Sequence, residues 1–248
     1  MKEFYHFDSV SEREFASCGR WWHLYTPGNE TCAFLLTRDD FVYAMNLLAR
    51  CVDEVDGVII IAFELMNNHL HLVAAGEEDA LRDLFERFRR RLSRYLSSVG
   101  RSLPREFCLC MKEIHDLKSL RNVITYTHRN GYVVNPAVTP FSYPWGTGRY
   151  YYNDVLLHCH LGDYDDRAVR AMFKGRNPHL PSYFLMEDGY VAPPSFCDIS
   201  KGRSLFKNAH QYFQMLSRDV EAYMEWQWNC QILNFLQMLN CIASCAHC

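Results

Sequence analysis

The chain has 248 residues, 49% of them hydrophobic and 22% charged, and a formal net charge of −3. This size and balance suit a globular protein with a sizeable core and exclude a disordered, collagenous or low-complexity chain. They also exclude a global polycation, so any contact with nucleic acid must use local positive charge. The longest apolar run, Gly57 to Phe63, is too short for a membrane span, and no membrane partner is expected. The N-terminal residues, with Lys2, Glu3, Asp8, Glu12 and Glu14, lack the apolar stretch of a signal peptide. The eleven cysteines are mostly dispersed. They read as reduced thiols of a cytoplasmic protein, packed mostly as small hydrophobes.

Residues 1–20 are polar and read as a loose lead-in. Trp21 to Thr26 is an aromatic-rich strand ended by Pro27-Gly28-Asn29, and Cys32 to Leu36 extends the pairing. Thr37 is a helix N-cap with acids in the first turn, and Phe41, Ala44, Leu47, Leu48 and Cys51 recur at helical spacing. Asp56-Gly57 breaks that helix. Val58 to Leu65 is apolar enough to be central in a sheet. After the turn signal Asn67-Asn68, His69 to Val73 alternates as a further strand. Glu77 to Tyr95 is an amphipathic helix with the stripe Leu81, Leu84, Phe85, Phe88, Leu92, Tyr95 and Leu96. Phe107 to Ile114 is a fourth strand. Asp116 to Asn130 is a helix with Leu117, Leu120, Ile124 and Thr127 on one face and Gly131 at its end.

The element order predicts an α+β fold, a ferredoxin-like split βαβ sheet with helices on one face. A C-terminal, mostly helical or irregular extension follows. The boundaries are a lead-in over 1–20, the main α+β unit over 21–135, an aromatic, Pro- and Gly-rich connection over 136–153, and the extension over 154–248. Short helical patterns lie around Asp165 to Phe173 and Ser204 to Trp226. No internal repeat is present.

Three features point to chemistry. His69 and His71 lie two apart on a strand, so both imidazoles share a face and can share one metal ion. The plainer reading is two polar residues on a solvated sheet face. Tyr126 and Asn130 are four apart on a helix and project from one side, with Tyr126 off the apolar stripe. A nucleophilic phenol beside a metal ligand needs that placement; an amphipathic tyrosine with a wet hydroxyl also fits it. Arg87, Arg89, Arg90, Arg91, Arg94, Arg101 and Arg105 run with no acid among them. They form a candidate phosphate-binding surface, or a solvated helix face.

Met66-Asn67-Asn68-His69-Leu70-His71-Leu72-Val73 resembles the HUH motif of single-tyrosine transposases, Met-Pro-Asn-His-x-His-Leu. Tyr126-Thr127-His128-Arg129-Asn130 resembles the Tyr-Ile-His-x-Asn-Pro motif of the branch associated with repetitive extragenic palindromes. The basic helix lies between the two motifs, as in that family. Phe141-Ser142-Tyr143-Pro144-Trp145 is loosely similar to its Trp/Ser/Tyr-rich segment. The resemblance spans residues 20–152. Asn67, Thr127 and Gly131 depart from the pattern, and none of these changes removes a reactive group.

The resemblance implies a DNA strand transferase that cleaves and rejoins single-stranded hairpin DNA. Tyr126 would form a 5′-phosphotyrosine link and leave a free 3′-hydroxyl. His69, His71 and Asn130 would hold a divalent ion, Mg²⁺ or Mn²⁺ by family precedent, while the ligand chemistry alone also admits Zn²⁺. A phenol ionises near pH 10, so attack at neutral pH requires an activating site. The DNA partner, a bacterial, nucleoid-associated cytoplasmic setting, and a monomer or homodimer are likewise expectations of the resemblance. Two other classes stay open: a domesticated hairpin-DNA binder without catalysis, and a metal-dependent phosphoesterase with Tyr126 as a bystander. Rival ligand clusters are weaker. His158-Cys159-His160 with Asp163, Asp165 and Asp166 lacks a tyrosine–amide partner. Cys241, Cys245, His247 and Cys248 lack a paired knuckle.

Overall fold

The computed structural model describes residues 3–134 and 139–217. The chain folds as α+β around a four-stranded antiparallel sheet. Its strands are β1 (Trp21–Tyr25), β2 (Ile59–Leu65), β3 (Leu70–Ala75) and β4 (Cys110–Ile114), in the spatial order β2-β3-β1-β4. Helix α2 (Arg38–Asp53) joins β1 to β2, and α3 (Glu78–Ser98) joins β3 to β4. That connectivity and order are the split βαβ arrangement expected from the sequence. Thr37 caps α2 in a reciprocal capping box with Asp40. The expected stripe of α3 is buried at every position from Leu81 to Leu96.

Alternation along β3 puts His69, His71 and Val73 on one face and Leu70, Leu72 and Ala74 on the other. The α2–α3 pair shares its core with Trp22, Leu24, Leu70 and Leu72. The opposite, histidine-bearing face is covered by α4 (Leu117–Val134), which packs on β2 and β3. Helices on one face therefore describes α2 and α3 only. The face of α4 that carries Tyr126 and Asn130 packs toward the histidines, so α4 takes the other side of the sheet.

Four other expectations are corrected. Residues 3–17 form a helix, α1 (Glu3–Ser17), rather than a loose lead-in. It is tied down where the Trp21 indole donates to the Phe15 carbonyl at 2.8 Å and Ser11 donates to the Ser204 carbonyl at 2.9 Å. Residues 32–36 add no strand; Phe34 and Leu35 donate their amides to the Asn67 carbonyl instead. Gly131 does not end α4. It lies inside the helix, where a Cβ would come within 2.8 Å of both Glu64 Oε1 and the Tyr143 ring. Among the described cysteines only Cys51 and Cys197 are buried, so the thiols do not serve mainly as core hydrophobes.

Strand β2 is apolar yet lies at the edge, not the centre, of the sheet. Its open side is covered by the connection and the extension. Thr147 donates its amide to the Phe63 carbonyl (3.0 Å), Leu65 donates to Trp145 (2.8 Å), and Asp198 donates to Ile60 (2.8 Å). The buried Tyr151 hydroxyl donates to the Ile61 carbonyl (2.8 Å). Covering replaces the polar edge that an exposed strand needs.

The extension carries a second, three-stranded antiparallel sheet that its sequence did not announce. Its strands are β5 (Cys159–His160), β6 (Leu185–Glu187) and β7 (Tyr190–Val191). Two- and three-residue strands leave too short an alternation to read. Helix α5 (Asp166–Met172) falls on the expected 165–173 pattern; α6 (Ile199–Ser204) is not among the expected segments, and the 204–226 pattern is helical from 209 to 217 after a turn over 205–208. Tyr190, Ile199, Leu205, Phe206 and Tyr212 join the same core as the main sheet. No helix among the described residues is long and apolar enough to cross a membrane. The Cys241–Cys248 cluster and the end of the expected 204–226 helix lie outside the described residues.

Candidate active site

The turn at 66–69, closed by the Met66 amide on the His69 carbonyl (2.8 Å), delivers His69 just ahead of β3. His71 follows on the same face. The two imidazole centroids are 5.0 Å apart and nearly perpendicular. From α4, the Tyr126 ring approaches His71 edge-on with centroids 5.3 Å apart, and Asn130 Oδ1 lies 3.5 Å from His69 Nε2. The structure thus gathers His69, His71, Tyr126 and Asn130 in one place. The histidines and Asn130 are buried, while Tyr126 is 39% exposed.

The hydrogen bonds fix which ring nitrogen of neutral His69 carries the proton. The Asn68 side-chain amide donates to the carbonyls of Gly28 (2.8 Å) and Thr31 (2.9 Å). Its Oδ1 must therefore accept, and His69 Nδ1, 2.6 Å away, must donate. In neutral His69 this leaves the lone pair on Nε2, which faces Asn130. The Asn130 amide donates to the carbonyls of Tyr126 (3.0 Å) and Thr127 (3.4 Å), so Oδ1 is its face toward His69. Two acceptors therefore confront each other. Burial pulls His69 below the ordinary imidazole range, opposed by Asn130, and pulls His71 down further, helped by the charges of His69 and His23. Both are neutral at pH 7, the state in which imidazole binds metal.

His23 on β1 belongs to this cluster, although its sequence context did not single it out. Its Nε2 lies 3.0 Å from His71 Nδ1, and its ring packs 6.1 Å from Tyr126. Burial first, and Lys112 second, lower its pKa to about 4. In the tautomer in which His71 Nδ1 donates to His23, His71 Nε2 is left to bind a ligand. Arg129 is the other addition: its guanidinium lies 5.9 Å from the Tyr126 ring centroid, and burial lowers its pKa to about 10, still cationic at neutral pH.

The donor set fits a divalent ion. Each histidine has its Nδ1 engaged by a second group, and His69 keeps its Nε2 lone pair available, the usual outer arrangement of metal-binding histidines. The 3.5 Å between His69 Nε2 and Asn130 Oδ1 is close to the spacing of two ligand atoms that each lie about 2.1 Å from a shared ion. No group of three His, Cys, Asp or Glu side chains is placed to hold a metal among the described residues, so the set depends on the Asn130 amide oxygen. The rival His158 and His160 lie in an exposed segment, where His160 caps a short turn with Asp163.

The arginines behave differently from a free basic face. Arg101 pairs with the buried Asp40, and Arg91 and Arg87 pair with Glu54 at 2.7 and 3.6 Å. Arg87 also bonds Asp83 (2.8 Å), and Arg89 donates to the Phe107 carbonyl (3.1 Å). Only Arg90, Arg94 and Arg105 of the seven lack a hydrogen bond or ion pair among the described residues. None of the seven contacts His69, His71, Tyr126 or Asn130, because α3 packs on the other face of the sheet. Acids distant in sequence neutralise a run that looks one-signed when read alone.

No protein-family model matches the chain, and no curated protein matches it. One solved structure, of a REP-associated tyrosine transposase bound to a REP hairpin, aligns over 54% of this chain and 78% of that chain. The sequence identity is 17% and the TM-score 0.38. At that level the alignment assigns no role to any residue here.

Proposed function

We propose that this chain is a metal-dependent tyrosine DNA strand transferase or endonuclease acting on single-stranded or hairpin DNA. The observation that carries this reading is the confrontation of two acceptors, His69 Nε2 and Asn130 Oδ1, beside a part-exposed tyrosine. Neutral acceptors held face to face call for a cation between them. The motif resemblance in the sequence supports the same assignment.

His69, His71 and Asn130 would hold the ion. Bound there, it would supply charge stabilisation and alignment for phosphoryl transfer. Tyr126 Oη attacks the scissile phosphorus; an oxygen–phosphorus bond forms, the bond to the 3′ oxygen breaks, and that oxygen takes a proton from water to leave as a hydroxyl. Exposure of Tyr126 gives its proton an aqueous acceptor. Arg129 provides positive charge over the Tyr126 ring. The covalent link keeps the phosphodiester energy for rejoining.

The test uses end-labelled hairpin oligonucleotides from DNA flanking the gene, with Mg²⁺ or Mn²⁺, resolved on denaturing gels. A protein–DNA adduct that requires metal and disappears in Tyr126→Phe and in His69→Ala/His71→Ala is expected. Mn²⁺ binding followed by paramagnetic resonance should be lost in the histidine variant and retained in Tyr126→Phe. Hydrolysis that survives Tyr126→Phe would replace this reading with a phosphoesterase. Hairpin binding without cleavage or adduct would replace it with a DNA-binding protein.

A further inference from the structure

Away from the histidine face, α2, α3 and the turn after α5 enclose a cleft of about 430 Å³. Arg50 comes from α2, Arg91 and Arg94 from α3, and Lys174 and Arg176 from the turn. No carboxylate lines this cleft. Five cations thus converge in a chain whose net charge is −3. Glu54 holds Arg50 at 2.8 Å and Arg91 at 2.7 Å from outside the lining. The side chains of Arg94, Lys174 and Arg176 have no hydrogen bond or ion pair among the described residues.

The cleft also has a flat aromatic wall. Tyr43 and Tyr95 stack with centroids 4.0 Å apart and planes 19° from parallel. Tyr95 is fixed by donating its hydroxyl to Asp40 at 2.9 Å. In the turn that also lines the cleft, Lys174 adopts φ 48°, a conformation costly for a residue with a side chain, while the Gly175 amide closes α5 on the Arg170 carbonyl at 3.0 Å. Three unneutralised cations lining one cleft repel unless an anion enters. Guanidinium forks match phosphate oxygens in pairs, and lysine adds a point charge. The volume lies within the range of small-molecule sites, and a tyrosine face accepts a stacked base.

We infer that this cleft, built jointly by α2, α3 and the extension, binds the phosphate group of a nucleotide, either free or within a nucleic-acid strand. Neither Tyr126 nor the histidines take part, so the inference stands apart from the strand-transfer chemistry.

The full-length chain, in EDTA, is titrated calorimetrically with inorganic phosphate, a deoxynucleoside 5′-monophosphate and an eight-residue oligothymidylate. The variants are Arg94→Ala/Lys174→Ala/Arg176→Ala and, outside the cleft, Arg90→Ala/Arg105→Ala. All these side chains are exposed or at the surface, and circular dichroism verifies their folds. For every probe that the unaltered protein binds, the cleft variant should bind at least tenfold more weakly and the control variant less than threefold more weakly. A mononucleotide bound as tightly as the oligomer identifies a free nucleotide as the source; binding of the oligomer alone identifies a strand. No binding of any probe, unchanged binding by the cleft variant, or an equal loss in the control overturns the inference. Adduct formation by Tyr126, read separately, does not depend on any of these outcomes.

Discussion

Asn68 takes the turn position beside the histidine motif and fixes the proton on His69. Its amide spans the loop carbonyls of Gly28 and Thr31, and the remaining oxygen can only accept. His23, 3.0 Å from His71 Nδ1, holds the orientation of the His71 ring. Removing either partner leaves the ligand atoms present but free to rotate or change tautomer. Asn68→Ala and His23→Phe should each weaken Mn²⁺ binding by about 10- to 100-fold while leaving the fold intact, as measured by resonance titration alongside circular dichroism. Spacing rules sufficed to suggest that His69 meets His71 and that Tyr126 meets Asn130. His23 escaped them because it stands among aromatics in Trp21-Trp22-His23-Leu24-Tyr25. Its position became meaningful only once β1 was found beside β3, with Tyr25 opposite His71.

At the scale of elements, the N-terminus of α2 shows why a run of like charges misleads. Asp40 receives the amides of Leu36 and Thr37, the Tyr95 hydroxyl and the Arg101 guanidinium. Burial works to raise its pKa, and these four partners overcome burial and hold the carboxyl well below the usual range. Arg101 also donates to the Phe34 carbonyl at 2.8 Å, tying the coil before α2 to the segment after α3. Its role is in the fold, not in a DNA surface. Arg101→Ala should lower unfolding stability in urea by about 3 kcal/mol, because a buried carboxylate loses its counter-charge. Arg105→Ala, with no such partner, should change it by less than about 0.5 kcal/mol. The capping residue Thr37 was readable because capping is local. The Arg101–Asp40 pair joins residues 61 positions apart, and no local pattern encodes it.

At the scale of the molecule, His128 links α4, the connection and the extension. Its Nδ1 meets the Tyr212 hydroxyl at 2.9 Å and its Nε2 meets Thr147 Oγ1 at 2.8 Å, all within the core. Burial lowers its pKa to about 3. The unfolded chain therefore binds a proton that the folded chain refuses between pH 6.5 and about 3. Its contribution is fully present above pH 6.5 and declines as pH falls through that window. By pH 4 the loss from this group is roughly 3 kcal/mol. Urea midpoints measured from pH 7 to pH 4 should fall steeply in the unaltered chain and less steeply in His128→Gln. The same network explains what the sequence left unread in residues 139–217. Prolines, glycines and tyrosines marked a connection, but their purpose lies in a strand edge some 80 positions earlier.

That edge also sets a schedule. Strand β2 is complete at Leu65, whereas Trp145, Thr147 and Asp198 arrive only much later in synthesis. At the pace of translation, roughly 10 s separate the strand from the groups that close it. Throughout that interval Ile-Ile-Ile-Ala-Phe-Glu-Leu is an apolar strand with one side unpaired. A nascent chain stalled before residue 145 carries this open strand with nothing of its own to cover it. Slower translation across the next hundred codons lengthens that exposure.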